Sequence, residues 1–400
     1  MPAIATTSVI VLLLLLPLKF PFLPSNMSVA DAWAGFTLPL CWVALVQQGR
    51  AIRLPYLPAF LLILVATVLA SLLSADPAAG FVVVLKDLYL YAWLVTLAAA
   101  FEHVGAREHR ALLRAWCASV ALNAAVIVAQ FAHPPLLQAL NAWVAGGAEA
   151  VAYRPSGLMA NSNAAAGFQV LGFVPLVLLA SRAWIAAPLL ALNTAAILCT
   201  GSLGAALALV VGVGVGLVVL LFFSSETRSA ASLVLRSVLA GCLCLALAAL
   251  LMRGNPELEE RLQSISWDRS DRSAEGRFEI WNRGADTLMS GLPLWGIGPD
   301  RFRQLEGSEM HNDLLGFAVE RGLLGLLGLC LLGVLAFARS IEVFRVVRAQ
   351  GRLRGIVFPG VVAATFAASL THEVFHSREV WLALAVQEAA LWRARRGPQA

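Results

Sequence analysis

Residues 311–338, HNDLLGFAVERGLLGLLGLCLLGVLAFA, place three polar side chains directly before a long apolar run. The run is long enough to cross the hydrocarbon core of a bilayer, which takes about 20 apolar residues in a helix. A titratable imidazole, His311, therefore stands at the lip of a predicted membrane helix. Its role depends on which side of the membrane that lip faces and on what lies beside it.

The composition extends this interpretation to the whole chain. Of its 400 residues, 60% are hydrophobic and 13% are charged, whereas soluble proteins carry about 25% charged residues. We therefore expect an all-α integral membrane protein. The net charge of +5 comes from arginines that lie mostly in short loops between apolar runs, a pattern typical of topology determinants rather than of nucleic-acid binding.

Twelve apolar runs are predicted to form transmembrane helices. The first is interpreted as a membrane helix rather than a cleaved signal peptide, because no positive charge precedes it and many further spans follow. The six cysteines all lie inside apolar runs, which favours packing roles over a disulfide framework or a metal site. The predicted spans are residues 5–22, 28–47, 56–74, 80–100, 111–132, 162–181, 183–200, 203–223, 232–252, 313–338, 355–371 and 377–392.

The arginines also predict the orientation of these spans. They concentrate in alternate loops, and the positive-inside rule places those loops and both termini in the cytoplasm. The other loops then face the outer side, which is the periplasm if the cell has one. We divide the chain accordingly into helices one to nine with an outer loop at 133–161 (residues 1–252), a large periplasmic loop (253–312), and the last three helices with a cytoplasmic tail (313–400).

The large outer loop is predicted to contain two short helices, at 256–264 and 273–289. The second carries an apolar stripe at helical spacing, made of Phe278, Trp281, Ala285 and Leu288. The loop is also rich in arginine, the side chain that grips phosphate with two parallel hydrogen bonds. Most of these arginines are expected to pair with acids of the same loop, which leaves one or two for a ligand. The arginines on the polar face of this loop are Arg269, Arg272, Arg277, Arg283, Arg301 and Arg303.

The segment EGRFEIWNRGADTLMSGLPLWGIGPDRF, followed by HNDLLGFAVERGLLG, resembles the C-terminal region of the O-antigen ligase and polymerase superfamily. The resemblance covers about residues 270–325. It rests on an arginine at the start of a Trp-bearing helix, a P-x-x-G-x-G turn, and His-Asn at the start of a span. The spacing from His311-Asn312 to Gly322 and Gly325 is similar to that of the lipopolysaccharide O-antigen ligase branch.

The resemblance implies a metal-independent, cofactor-free glycosyltransferase in the bacterial inner membrane, acting on its periplasmic face. The donor would be a glycan on undecaprenyl pyrophosphate, and the acceptor a sugar hydroxyl of lipid A–core. His311 matches the family histidine, and Arg277 matches the arginine of the loop. Histidine is available as a base near neutral pH, and arginines can neutralise a departing diphosphate without a metal. In-line attack would invert the anomeric centre.

Further substrate-binding candidates come from the residues themselves. The family carries a Ser-Arg pair at the outer start of a mid-chain span, and here Ser202 is followed by Leu203. Arg154, near the outer lip, and Lys86, in the fourth span, are candidates to replace the missing arginine. Lys86 has an alternative role in an ion pair with Asp87 or in snorkelling to the surface. Asn312, which can orient the ring or a sugar, and Arg303 complete the set of candidates.

Three other functions compete with O-antigen ligation. A glycan polymerase of the same superfamily differs only in its acceptor. A transporter fits the number of spans, yet the polar residues concentrate in outer loops rather than at mid-membrane depth. HEVFH, residues 372–376, matches the H-E-x-x-H motif of zinc proteases, but that motif needs both histidines on one helical face, and here it lies in a predicted turn.

Overall fold

The computed structural model describes residues 1–19, 27–144, 154–159, 161–180, 183–223, 268–290, 294–350 and 353–396. In those residues it contains helices and no strands. A 3-10 turn, Leu353–Ile356, precedes the helix that starts at Val357. The α-helices are α1 (Ala3–Leu14), α2 (Val29–Gln47), α3 (Leu57–Leu73), α4 (Pro77–His103), α5 (Ala106–Ala132), α6 (Pro134–Val144), α7 (Ser162–Leu171), α8 (Phe173–Leu179), α9 (Ala183–Cys199), α10 (Leu203–Phe223), α11 (Asp268–Ser290), α12 (Arg301–Glu306), α13 (Asp313–Ala349), α14 (Val357–Ser369) and α15 (Arg378–Arg395).

Six helical stretches of the described residues are long and apolar enough to cross a membrane, namely α2, α4, α5, α7 with α8, α10 and α13. Four further apolar stretches are shorter, at Ala3–Leu14, Leu57–Leu73, Ile185–Cys199 and Leu353–Ser369. The all-helical membrane class follows from these findings, whereas the count of twelve spans stays a prediction. The predicted span at 232–252 and the predicted helix at 256–264 lie outside the described residues.

The last predicted span forms α15, which lies at the centre of the core. Its side chains are buried along nearly its whole length, including the polar Glu379, Gln387 and Glu388. It packs mainly against α4 and α13. The Gln387 amide donates hydrogen bonds to the Tyr56 hydroxyl at 3.0 Å and to the Ala336 carbonyl at 2.9 Å. The polar residues of α15 therefore tie helices together, because a buried polar group without a partner is costly.

Helix α13 is broken at Gly322, where φ is 68° and ψ is −174°. A Cβ at this position would lie 2.1 Å from the Leu294 carbonyl oxygen, so both the backbone angle and the available space require glycine. Gly322, Gly325 and Gly328 recur every three residues, a pattern typical of glycines that let helices approach closely. Gly322 breaks the helix instead, whereas Gly328 lies against the backbone of Ile63 in α3.

The break leaves backbone carbonyls of α13 free to bind a neighbouring turn. The N–H of Ile297 donates to the Val319 carbonyl at 2.9 Å, and the N–H of Gly298 donates to the Glu320 carbonyl at 3.1 Å. Irregular backbone in a membrane protein needs such replacement partners. The turn of the outer loop is thereby fixed to the short outer segment of α13, residues 313–321.

Helix α11 confirms the predicted second helix of the outer loop and extends it at its start. Trp281 donates from Nε1 to the Met310 carbonyl at 3.0 Å, and Leu288 joins the same apolar cluster. Phe278 and Ala285 are exposed instead. Only half of the predicted stripe therefore packs inward, and α11 rests on the segment that leads into α13.

The loops of the protein gather at opposite ends of α13 and α15. The arginine-rich loops meet where both helices end, since Arg393 donates to the Val104 carbonyl at 2.7 Å and Gln350 donates to the Ala394 carbonyl at 3.0 Å. We call this region the arginine end. The predicted outer loops meet where both helices begin, and we call that region the cavity end.

Candidate active site

A cavity of about 660 Å³ opens at the cavity end. The start of α13, the turn 370–377 between α14 and α15, and parts of α4 and α7 form its wall. One part of the wall is apolar and includes Val82, Val83 and Phe168. The titratable side chains that line it include Lys86, Asp300, Arg303, Glu309, His311, Asp313, Glu320, Arg321, His372, Glu373, His376 and Arg378. Such a cavity can hold a charged group beside an apolar chain.

His311 lies in this wall with a left-handed backbone, at φ 52°. Burial lowers the pKa of its imidazole, Glu309 opposes this shift, and the positive charge of Arg277 adds to it. The neutral form, which can accept a proton, is therefore favoured near neutral pH. Next to it, the Asn312 side chain caps α13 by accepting a hydrogen bond from the Leu315 N–H at 3.0 Å.

Arg277 stands out among the arginines of the outer loop. Its charge lowers the pKa of both His311 and His372, so its positive charge acts on two imidazoles that line the cavity. Within the described residues it forms no ion pair, whereas Arg283 pairs with Glu306 at 3.2 Å. A half-buried arginine that has no ion pair among the described residues is suited to an anionic ligand.

The other loop arginines behave as expected from the acids around them. Arg303 lines the cavity but pairs with Glu309 at 3.5 Å, and Arg301 donates to Gln304 at 2.9 Å. The expected pairing within the loop is thus confirmed for Arg303, as it is for Arg283. The side chains of Arg269 and Arg272 lie outside the described residues.

Arg154 lies beside the turn in which the family arginine is missing. Its Nε donates to the Thr200 carbonyl at 2.8 Å, and its Nη2 donates to Asn163 at 3.0 Å. The adjacent Leu203 side chain is 60% exposed and contributes no charge. Arg154 also lowers the pKa of His372, so its positive charge reaches the cavity from the side of α10.

Lys86 lines the cavity, while its neighbour Asp87 points elsewhere. The Asp87 carboxylate pairs with Arg321 at 3.0 Å and accepts a hydrogen bond from Thr67 at 2.9 Å. Successive residues of a helix do not face each other, which explains why Lys86 and Asp87 have different surroundings. The Lys86 charge instead lowers the pKa of Glu373 across the cavity.

The HEVFH segment forms part of a turn rather than a helix. The imidazole of His372 lies 3.4 Å from Ser202 Oγ, and that of His376 stacks on Phe317 with ring centroids 6.1 Å apart. The two imidazoles thus contact different helices, and the shared helical face that the zinc motif requires is not formed. In the described part of the chain, no three His, Cys, Asp or Glu side chains are grouped to hold a metal ion.

Two features of the site went unrecognised at the sequence level. Arg321 is buried under the cavity, pairs with Asp87 and lies 4.2 Å from the Phe317 ring centroid. Glu373 lines the cavity, and burial and Glu309 raise its pKa to about 6. An arginine inside an apolar run is a signal in itself, because it needs a partner or a function. Glu373 is the glutamate of the H-E-x-x-H pattern, which assigns it to a zinc site rather than to this cavity.

Comparison with known proteins bears on residues 168–330, which match the family model Wzy_C, described as O-antigen ligase. The matched range includes Arg277 and His311, whereas Lys86, Arg154 and the turn 370–377 lie outside it. A search of the curated proteins finds no match.

Proposed function

We propose, because residues 168–330 match the O-antigen ligase family model, that this chain moves a glycan from undecaprenyl pyrophosphate to a sugar hydroxyl of lipid A–core. The observation that carries the proposal is the pair formed by His311, whose imidazole lines the cavity, and Arg277, which has no ion pair in the described residues and whose charge lowers the pKa of that imidazole. The first can accept a proton, and the second can bind a phosphate.

In the proposed reaction His311 removes the proton of the acceptor hydroxyl. The acceptor oxygen attacks the anomeric carbon of the donor sugar, and the bond from that carbon to the diphosphate oxygen breaks. The diphosphate leaves with the bonding electron pair, and its charge is balanced by Arg277, Arg154 and Lys86. Fixed cations in a partly desolvated cavity stabilise such a charge strongly. Attack from the face opposite the leaving group inverts the anomeric centre, and no metal is needed for any step.

The proposed location is the bacterial inner membrane with the cavity end toward the periplasm. The support is the separation of the loops, since arginine-rich loops gather at one end of α13 and α15, and arginine-rich loops face the cytoplasm. The apolar part of the wall, with Val82, Val83 and Phe168, suits the first isoprene units of a lipid-linked donor. Arg303 and Asn312 stay candidates for contacts with the sugars.

The test is a transfer assay with purified protein in lipid nanodiscs. Lipid-linked glycan and lipid A–core are supplied together, and the products are separated by gel electrophoresis. Glycan joined to lipid A–core supports the proposal. Longer lipid-linked glycan in place of that product would identify a polymerase of the same superfamily, and unchanged substrates would remove both functions.

A further inference from the structure

Two loops of the cavity are joined by carboxylates that reach in opposite directions. The Asp313 carboxylate, at the start of α13, accepts hydrogen bonds from the N–H groups of Val374 at 2.7 Å and Phe375 at 3.3 Å. In return, Glu373 lines the same cavity as Met310 and His311, and its carboxylate is directed toward their N–H groups, which lower its pKa. Each loop therefore supplies an acceptor for the backbone of the other.

The conformation of His311 gives this arrangement its importance. A left-handed backbone is strained at a residue other than glycine, and it persists only where the surroundings hold it in place. His311, at φ 52°, lies between Met310, whose carbonyl is bound by Trp281, and Asn312, which caps α13. Its own N–H is directed at Glu373. The direction in which the imidazole leaves the chain depends on all of these contacts.

We propose that Asp313 and Glu373 are positioning residues, which hold the turn 370–377 against segment 309–312 and so aim the His311 imidazole into the cavity. This rests on the proposed function, in which His311 acts as the base. Asp313 is 1% exposed, and its bonds to two consecutive N–H groups resemble the way a carboxylate fixes a helix start. Neither carboxylate transfers a proton in this role, because each acts through the backbone.

Turnover measurements separate positioning from proton transfer. Asp313→Ala and Glu373→Ala are each expected to lower kcat by about tenfold to a hundredfold, the size of effect caused by a misplacement of about 1 Å. The KM for the lipid-linked donor stays unchanged. Glu373→Gln and Asp313→Asn are expected to recover most of kcat, because an amide oxygen still accepts an N–H bond. A Glu373→Gln variant as inactive as Glu373→Ala would overturn the proposal.

A double variant tests whether the two carboxylates act on the same element. Because both fix one pair of loops, Asp313→Ala combined with Glu373→Ala is expected to be no slower than the slower single variant. Losses that multiply would contradict a shared role. Glu306→Gln is the matched control, since Glu306 is a carboxylate of the same outer segment that pairs with Arg283 and does not line the cavity.

Amide hydrogen exchange in nanodiscs tests the proposal without any substrate. Glu373→Ala is expected to speed exchange at Met310 and His311, and Asp313→Ala to speed exchange at Val374 and Phe375, while Glu306→Gln changes neither segment. Unchanged exchange in both alanine variants would overturn the inference even if transfer is observed. If the wild-type protein transfers no glycan at all, the proposed function fails, and the exchange result still decides whether the carboxylates hold the two loops.

Discussion

The two polar ends of the molecule are both rich in charge, but they use it differently. At the arginine end, several arginines are bound by the chain itself: Arg396 and Arg53 share Glu102, and Arg395 pairs with Glu342. At the cavity end, Arg277 and Lys86 have no ion pair in the described residues, and Lys86 lines the open cavity. A charge satisfied by the protein stabilises the fold, whereas a charge left for a ligand stabilises what binds there.

Arg393 shows most clearly how the arginine end works. Its Nη1 lies within hydrogen-bond distance of the carbonyls of Phe101, Glu102 and Val104, at 3.3, 3.2 and 2.7 Å. These carbonyls belong to the last turn of α4 and its cap, where the helix leaves acceptors unpaired and carries partial negative charge. Arg393 thus closes the end of α4. Substitutions at the two ends should therefore affect different measurements.

The largest effect is expected from His311→Ala. Loss of the general base should lower glycan transfer by about a hundredfold to ten-thousandfold, while the midpoint of thermal unfolding changes little. The rate is followed as joined product per unit time in nanodiscs. His109, whose ring packs edge-on against Phe101 at the arginine end, is the matched control, and His109→Ala should retain transfer. Full activity in His311→Ala would remove the proposed base.

A smaller effect is expected from Arg277, with two substitutions that separate charge from geometry. Arg277→Lys keeps the charge but loses the planar fork and should lower transfer about tenfold to a hundredfold. Arg283→Lys, on the same helix and paired with Glu306, should have no effect. Equal activity of Arg277→Lys and the wild type would argue against phosphate binding at this residue.

The charge of Arg277 also predicts a shift in the pH dependence of glycan transfer. The pKa of His311 lies below its ordinary value of 6.5 because of burial and the nearby Arg277. The base works when neutral, so transfer should fall as pH drops through this lowered pKa, and the half-loss should lie below pH 6.5. Arg277→Gln removes a positive charge and should move the half-loss to higher pH, whereas Arg277→Lys should not. Rates measured across the pH range in all three proteins check this order.

At the arginine end the expected effects are on stability. Arg393→Ala removes a charged donor from the end of α4 and should lower the free energy of unfolding by about 1.5–3 kcal/mol. The transfer rate of the remaining folded protein should equal that of the wild type. Unfolding is followed by denaturant titration in micelles. If Arg393→Ala lowered transfer without lowering stability, the arginine end could not be assigned a purely stabilising role.

The smallest effect is expected from Arg395, whose partner is Glu342. The Arg395 side chain is 47% exposed, and exposed ion pairs contribute about 0–1 kcal/mol and are screened by salt. Arg395→Ala should therefore change stability by less than about 1 kcal/mol, and high salt should erase the difference. A larger change that survives high salt would show that this pair is more than a surface contact.

Much of the fold was predictable because a long apolar run forms a helix when it crosses a membrane. The start of α13 and the course of α11 followed from hydropathy and turn residues. The break at Gly322 did not, because a glycine that packs and a glycine that breaks a helix look alike in a sequence. The centre of the core was also hidden, since α15 carries polar residues such as Gln387, whose hydrogen-bond partners lie far away along the chain.

The residues that carry the proposed chemistry were predictable from the sequence, whereas the contacts that these and neighbouring side chains make were less so. His311 and Arg277 were found through a local pattern; the structure places His311 in the cavity wall, and the charge of Arg277 acts on its imidazole. The partner of Asp87 was not predictable, because Arg321 lies 234 positions away along the chain. The contact of Glu373 with Met310 and His311 was likewise beyond sequence reasoning, since it depends on two loops meeting in space.

The break at Gly322 also determines how far the reaction lies from the membrane centre. Residues 323–349 form a helix about 40 Å long, which covers the hydrocarbon layer of about 30 Å and part of the head-group region without help. The outer segment 313–321 adds about 14 Å beyond it. His311, at the tip of that segment, would then stand among the lipid head groups, at the height where a membrane-anchored diphosphate already resides. The donor would then reach His311 by lateral diffusion within its own leaflet, without leaving the membrane.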